Sequence, residues 1–251
     1  MIRARDLIKQ SVHLYRDNFS LFIRYAILLY LPFFIGGILA TVVSTGAIIT
    51  TIVTRNQSWL VLMFLLFIVL LAAISLISLW FSIAFMRVIA GRIRNAAVGT
   101  MREQLRDVRP LIGLAILITV LGGLATLAGL FFLIIPGIVI AIWLMFGLLA
   151  LTLDDKQGTA ALAYSAQLEK GRWWAVLWRV ASVLLIYGAL TLLINRIFIN
   201  PLFFLAQHSG DISFRIIVQL TALLLQTIFS VLTTPFLPCA QVILYEDLKH
   251  S

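Results

Sequence analysis

Six long apolar runs constrain the fold of this chain more than any other feature. They cover about residues 21–45, 59–89, 110–135, 138–153, 173–195 and 216–245. Hydrophobic residues make up 62% of the sequence and charged residues 12%, whereas soluble domains are about half apolar and a quarter charged. In lipid, backbone polar groups must pair within a helix or a closed barrel. The runs lack the strict alternation of barrel strands. The sequence therefore predicts an all-α, polytopic transmembrane bundle, a single integral membrane domain over residues 1–251.

The fourth run leaves two interpretations open. Pro136-Gly137 predicts a tight turn, and the run from Ile138 to Leu153 is then short for a crossing, which needs about 20 residues. A full span and a re-entrant hairpin are both compatible with this length. The third run contains glycines that predict close helix packing: Gly113, Gly122, Gly123 and Gly129.

Two basic segments are typical of helices that lie at the membrane surface. Residues 1–20 combine apolar residues at helical spacing with four cations, which predicts an interfacial amphipathic helix. Gly91 to Arg109 is the most basic loop, and part of it fits a second surface helix. Anionic lipid headgroups are the partners expected for such cations, and the candidate contact residues are Arg92, Arg94, Arg102, Arg106 and Arg109.

The distribution of cations predicts the topology. With six spans, Arg55, Arg196 and Arg215 fall on one side of the membrane and the other sixteen of the 19 lysines and arginines fall on the opposite side. By the positive-inside rule, both termini are expected to be cytoplasmic. The net charge of +9 is thus explained by topology, and we expect no nucleic-acid partner because no nucleic-acid-binding signature is present.

A short similarity between two segments of the chain predicts an internal repeat. Ser11, Leu14, Arg16 and Phe19 align with Ser165, Leu168, Lys170 and Trp173. Both segments lead from a surface helix into a span, and Gly91 to Arg109 has the same layout. The pattern favours three parallel units, each a surface helix plus a membrane hairpin, which should superpose in a structure.

No constellation of residues predicts catalysis. Asp154 and Asp155 are adjacent and have no nearby His or Cys to complete a metal site, so we expect them to end the fourth span and to help cap the next helix. The three histidines are scattered, and Ser165 lacks a nucleophile-elbow motif. We therefore expect no enzyme activity, no metal and no cofactor.

Two spans carry polar stripes at helical spacing. Such faces turn away from lipid, where they either link helices or line a pathway. Interhelical packing is the expectation, and a polar pathway is the alternative. The residues concerned are Ser75, Ser78 and Ser82 in the second span and Gln219, Gln226, Ser230, Thr233 and Gln241 in the last.

The stretch from Leu133 to Trp174 resembles a pattern in a loose family of bacterial membrane proteins, the YciC-like inner-membrane proteins and the membrane domain of some glycerophosphodiester phosphodiesterases. The ending Leu244 to Lys249 also resembles that of the family. The matching residues are Pro136, Gly137, Asp154, Asp155, Ala161, Ser165, Leu168, Gly171, Trp173 and Trp174. The resemblance implies a multi-pass protein of the bacterial cytoplasmic membrane and no settled function. Phosphodiesterase activity is not expected, because no catalytic domain of that kind is present.

Together these features favour a non-enzymatic integral membrane protein that acts in envelope or membrane-lipid maintenance through lipid or protein contacts. The basic surface segments and the lack of ionisable residues in the middle of any span support this hypothesis. The alternative is a permease or exporter of a small or amphiphilic solute that uses the polar stripes.

Overall fold

A computed structural model of the chain describes residues 2–54, 58–96 and 98–250. It is 89% helical and has no strand among these residues. The predicted all-α class is therefore confirmed. Arg55, one of the cations counted for topology, lies outside the described residues.

The long helices have the length that the apolar runs predict. In chain order, the helices are α1 (Ala4–Asp17), α2 (Phe19–Thr54), α3 (Ser58–Ile93), α4 (Met101–Val108), α5 (Ile112–Phe132), α6 (Ile134–Leu144), α7 (Gly147–Asp154), α8 (Thr159–Glu169), α9 (Trp173–Ile194), α10 (Asn200–His208), α11 (Ile212–Thr233) and α12 (Phe236–Lys249). A 3₁₀ turn (Arg109–Leu111) precedes α5, and a π-helical turn (Asn195–Ile199) joins α9 to α10.

Six helical stretches are long and apolar enough to cross a membrane. They are Phe19–Val43, Val61–Ile93, Met101–Phe132, Ile134–Asp154, Trp173–His208 and Ile212–Lys249. Large apolar side chains are exposed along these stretches, as expected where lipid replaces water as the solvent. The chain is an integral membrane protein.

The chain divides into two compact units. Unit 1 comprises Met1–Ile23, Leu79–Ala189 and Thr234–Ser251, and unit 2 comprises Arg24–Ser78 and Leu190–Thr233. In unit 1, α1 packs on α12, α5 packs on α6, and α7 packs on α8. The core of unit 1 includes Phe22, Phe85, Phe146 and Tyr245, each at most 1% exposed.

Unit 2 is held together by glycine contacts and by α11. A Cβ added at Gly36 would lie 2.1 Å from the Ile74 side chain, and one added at Gly37 would lie 2.9 Å from Leu223. Such small residues let transmembrane helices approach closely. α10 packs on α11, which also contacts the π-helical turn.

The surface helices form, but α1 is also covered by protein. Leu7 and Ser11 of α1 are fully buried, and the helix packs on α12. Part of its predicted lipid-facing side therefore contacts the rest of unit 1. α4 begins at a capping box in which Thr100 accepts a hydrogen bond from Glu103 and the Glu103 side chain accepts one from Thr100.

The turn of the α5/α6 hairpin lies before the predicted Pro136-Gly137 position. The chain breaks at Leu133, which is extended, and Pro136 and Gly137 lie inside α6. Proline is tolerated there because the first turn of a helix leaves its N–H groups without helical partners. The predicted fourth span is longer as a result, because α6 and α7 together cover Ile134–Asp154 in 21 residues. A stretch of this length can cross the membrane completely, so its length gives no reason to expect a re-entrant hairpin.

Glycine packing in this hairpin occurs at two positions only among the described glycines of α5 and α6. Gly129 and Gly137 face each other, and a Cβ added at Gly129 would lie 2.9 Å from the Gly137 Cα. Gly122 makes ordinary contacts, and Gly113 and Gly123 meet nothing within 4 Å. The predicted close packing is thus confirmed for Gly129 and wrong for Gly113 and Gly123.

Gly137→Ala is expected to destabilise the hairpin by about 1–3 kcal/mol, as other overpacking substitutions do. The new methyl group would lie 2.5 Å from the Leu130 side chain and 2.6 Å from the Leu130 backbone nitrogen. Unfolding in detergent with increasing sodium dodecyl sulfate measures the change. Gly123→Ala is the matched control and should be neutral or slightly stabilising, because that site is open. Equal stability of the two variants would contradict the packing.

The helix order agrees with a threefold layout. A short helix followed by two long helical stretches occurs with α1, α4 and α8 as the short helices. Ser11 and Ser165, which the alignment pairs, are both fully buried. That the three predicted repeats superpose, each a surface helix plus a membrane hairpin, stays a prediction.

Candidate functional site

Ser165, one of the motif residues, accepts a hydrogen bond from a backbone N–H at a break between two helices. α6 ends at Leu144 and α7 begins at Gly147, so the N–H of Phe146 is left at the break. Ser165 of α8 is fully buried, and its Oγ accepts this N–H at 3.2 Å. A Cβ added at Gly147 would lie 2.8 Å from Leu162, so α7 and α8 pack closely here. Ser165 therefore has a structural role at this break.

A cluster of polar groups surrounds the end of α12 in unit 1. We call Arg94, Asp154, Tyr245, Glu246 and Lys249 the polar cluster. The Lys249 ammonium donates to Asp154 at 2.6 Å, and the Tyr245 hydroxyl donates to the other oxygen of the same carboxylate. The Arg94 guanidinium donates to Glu246 at 2.6 Å. These bonds join the ends of α3, α7 and α12.

The N-terminal residues are tied to the same end of unit 1. The Ile2 N–H donates to Asp247 at 2.8 Å, and its carbonyl accepts from Arg179 Nε at 2.5 Å. Arg87 Nε donates to the Thr152 carbonyl at 3.2 Å. Several cations that the sequence assigned to topology thus also hold helix ends together.

The expected capping role of the acidic pair is wrong. The N-cap of α8 is Gly158, and no side chain caps it. Asp154 instead belongs to the polar cluster, while Asp155 ends α7 in the left-handed conformation with φ 51°. The pair does end the fourth span, as predicted, because α7 stops at Asp154.

Glu169 is a buried acid that sequence reasoning missed. It is fully buried, and neither carboxylate oxygen has a hydrogen-bond partner among the described residues. Burial raises the pKa of Glu169 to about 8, because desolvation disfavours the charged form. The available signal was its spacing: Ala161, Ser165 and Glu169 recur every four residues, on one face of α8. The first two are fully buried as well.

A basic groove lies between α3 and α4 in unit 1. It has a volume of about 800 Å³, and its lining includes Trp80, Arg102, Arg106 and Arg109. Trp80 holds α4 in place, because its indole Nε1 donates to the Leu105 carbonyl at 2.9 Å. The three arginines are exposed, and none of their guanidinium groups hydrogen-bonds to a described residue. Their spacing of four and three residues places them on one side of α4 and the turn that follows.

The other two predicted lipid contacts differ from these three. Arg94 is occupied by its ion pair with Glu246, so its charge is already compensated. Arg92 is exposed near the end of α3. The basic groove thus concentrates three of the five arginines that the sequence singled out.

The remaining motif residues take part in packing and in the turn between α8 and α9. Leu168 is half-buried on α8, and Gly171 has φ 78°, a left-handed conformation that favours glycine in the turn before α9. The rings of Trp173 and Trp174 meet edge to face at 5.4 Å, and Trp174 is 66% exposed. An exposed tryptophan at the start of a span fits an aromatic belt.

The residues of the predicted polar pathway do not all lie in one unit. Ser82 and Gln241 belong to unit 1 and the other six to unit 2. Gln241 lines a mainly apolar cavity of about 20 Å³, which has room for about one water molecule. The pathway stays a prediction.

Hydroxyl groups in these spans mostly bond to the backbone. Ser78 is buried and donates to the Leu29 carbonyl of α2 at 3.5 Å. Ser75 donates to the carbonyl of Leu71 in its own helix. Such bonds link helices or satisfy the hydroxyl locally, in agreement with the packing interpretation.

The site residues of unit 1 are mainly arginines, ion pairs and one buried acid. Among the described residues, no group of three His, Cys, Asp or Glu side chains is placed to hold a metal ion. The most distinctive features are the polar cluster, the buried Glu169 and the basic groove. Comparisons with protein-family models, with curated proteins and with solved structures gave no match.

Proposed function

We propose that this integral membrane protein binds the headgroups of anionic phospholipids in the basic groove. Through that contact it would act in envelope or membrane-lipid maintenance. The observation that carries the proposal is the set of three exposed guanidinium groups, Arg102, Arg106 and Arg109, beside Trp80. Arginine donates in a fork that matches phosphate oxygens. Tryptophan favours the headgroup level of the membrane, where one side of its ring is apolar and the other is wet.

The surroundings of the groove support a lipid rather than a protein strand or helix. The arginines lie just before the apolar α5, with Arg109 about one turn ahead of its first residue, so the groove lies at the end of a membrane-crossing stretch. The one acid in its lining, Glu103, is engaged in the capping box. The free charge in the groove is therefore positive. The proposal places this end of unit 1 at the cytoplasmic leaflet of a bacterial membrane, where anionic headgroups attract basic side chains.

The test is lipid binding by a triple variant, Arg102→Gln, Arg106→Gln and Arg109→Gln. A cation near an anionic membrane surface contributes about 1 kcal/mol, so the affinity for short-chain phosphatidylglycerol in mixed micelles should fall tenfold or more. Binding of phosphatidylcholine should not change. Titration followed by native mass spectrometry measures both lipids.

The matched control removes three exposed cations from α1 with the same change in net charge: Arg5→Gln, Lys9→Gln and Arg16→Gln. The proposal requires the groove variant to lose substantially more affinity than this control. Equal losses would show that lipid is attracted by diffuse charge and would overturn the groove as the site. Unaltered binding in the groove variant would do the same.

A further inference from the structure

The three arginines of the basic groove form an extended row. Arg106 follows Arg102 by four residues, and Arg109 follows Arg106 by three. These steps correspond to about 6 Å and about 5 Å along the axis of α4 and the turn after it. At about 100° per residue, the three side chains leave the helix within a narrow arc. The row is therefore about 10 Å long and lies on one side of the helix.

The acidic residues of α4 do not neutralise this row. The Glu103 carboxylate accepts from the Thr100 N–H at 2.8 Å in the capping box. Asp107 is exposed and leaves the helix about 100° away from the nearest arginine of the row. Among the described residues, no acid forms an ion pair with any of the three guanidinium groups. The row therefore presents three uncompensated positive charges.

An apolar wall lies beside the row. Met101 and Leu105 are half-buried and line the groove together with Trp80, whose indole donates to the Leu105 carbonyl. Val108 on the same side of α4 is fully buried. A groove with one cationic and one apolar wall fits an amphiphile with an anionic headgroup. A free phosphate ion offers nothing to the apolar wall.

A headgroup with a single phosphodiester matches the row poorly. Such a group carries one negative charge, and drawing three guanidinium groups onto it would bring like charges together. It would also restrict three long side chains at once, with a loss of conformational entropy. A second phosphate on the same molecule avoids both costs, because it reaches the remaining arginine at a high effective concentration once the first phosphate is bound.

We propose that the basic groove selects a lipid that carries two phosphates joined by a short bridge, as in cardiolipin, over lipids with one phosphate. This inference rests on the proposed function, because it assigns the class of lipid bound by the same arginines. One phosphate lies at Arg102 and the other at Arg109, with Arg106 between them. The acyl chains lie along the apolar wall, at the end of the membrane-crossing stretch. Basic pockets beside transmembrane helices are suited to headgroups of this kind.

The first test compares three lipids on the full chain in detergent micelles by native mass spectrometry. Cardiolipin should bind about fivefold or more tightly than phosphatidylglycerol, as expected when one further cation is engaged at the membrane surface. Two independent phosphates would give only a statistical factor of about two. Phosphatidic acid carries up to about two charges on one phosphate. It should bind more weakly than cardiolipin, because it cannot reach both ends of the row.

The second test repeats the comparison with Arg109→Gln, which shortens the row. The affinity for cardiolipin should fall to about that for phosphatidylglycerol. Phosphatidylglycerol itself should lose about twofold or less, because Arg102 and Arg106 remain. Arg16→Gln removes an exposed cation from α1 and is the matched control, which should keep the full preference for cardiolipin. Thermal stability in detergent serves to verify folding.

Several outcomes separate this inference from the proposed function. A preference for cardiolipin of about twofold or less, equal binding of phosphatidic acid, or a preference that survives Arg109→Gln would overturn the two-phosphate assignment. With phosphatidylglycerol still bound through the groove arginines, the proposed function would stand. Displacement of cardiolipin by an equal concentration of inorganic pyrophosphate would indicate a soluble ligand instead. Phosphatidylglycerol binding that the triple arginine variant leaves intact would overturn both.

Discussion

Replacing Glu169 with glutamine is expected to stabilise the protein at neutral pH and to remove much of its pH dependence. The wild-type carboxyl group is fully buried without a hydrogen-bond partner among the described residues. Its pKa is raised from 4.5 to about 8 by desolvation, so the folded protein holds it as a neutral acid at pH 7. Glutamine has nearly the same shape and is neutral at every pH. The substitution therefore removes the free-energy cost of protonating this carboxyl group when the protein folds at neutral pH.

The sign of the effect follows from proton linkage. Between pH 4.5 and 8 the folded state binds a proton at Glu169 that the unfolded state releases, so the wild-type free energy of unfolding falls as the pH rises through this window. Glu169→Gln lacks this slope. The variants should be equally stable near pH 4.5, and at pH 7 the glutamine variant should be more stable by roughly 3 kcal/mol, from about 1.4 kcal/mol per pKa unit.

Unfolding in detergent at pH 4.5, 6, 7 and 8.5 measures this difference. Asp107→Asn is the control for an acid-to-amide change, because Asp107 is exposed on α4. Parallel profiles for the wild type and Glu169→Gln would show that the carboxyl group is not held neutral in the folded protein.

Asp154→Ala should be the most destabilising substitution in the polar cluster. Asp154 accepts from both Tyr245 and Lys249, and Tyr245 is fully buried. Alanine leaves a buried hydroxyl and a mostly buried ammonium without an acceptor. Breaking such a pair costs about 3 kcal/mol. Asp155→Asn is the matched control at the next position: its side chain is exposed, and asparagine tolerates the left-handed backbone.

A double-mutant cycle isolates the contact itself. Tyr245→Phe removes the hydroxyl and keeps the ring that packs on Phe146 with centroids 5.7 Å apart. If the hydroxyl bonds to Asp154, adding Tyr245→Phe to Asp154→Ala should cost much less than Tyr245→Phe alone. Losses of free energy of unfolding that add within about 0.5 kcal/mol would contradict the bond.

The candidate sites were only partly accessible to sequence reasoning. The basic segment before Pro110 predicted both α4 and the cations Arg102, Arg106 and Arg109, because amphipathic spacing is a local property. That Arg94 is paired, unlike these three arginines, could not be predicted, because its partner Glu246 is 152 residues away in the sequence. Ser165 was recognised as a motif residue, but its role depends on a helix break near Phe146 that no proline or polar residue marks.

The sequence by itself determined the helical class, the six apolar stretches and the surface helices that precede some of them. Run length, charge and 3.6-residue periodicity act within a segment, so they can be read without knowing its neighbours. Only the tertiary structure decided that the hairpin turns at Leu133, that Asp154 pairs with Tyr245 and Lys249, and that Glu169 is buried. Those outcomes depend on which helices meet. In a chain so rich in interchangeable apolar residues, helix partners are selected by glycine contacts and a few polar pairs distant in sequence.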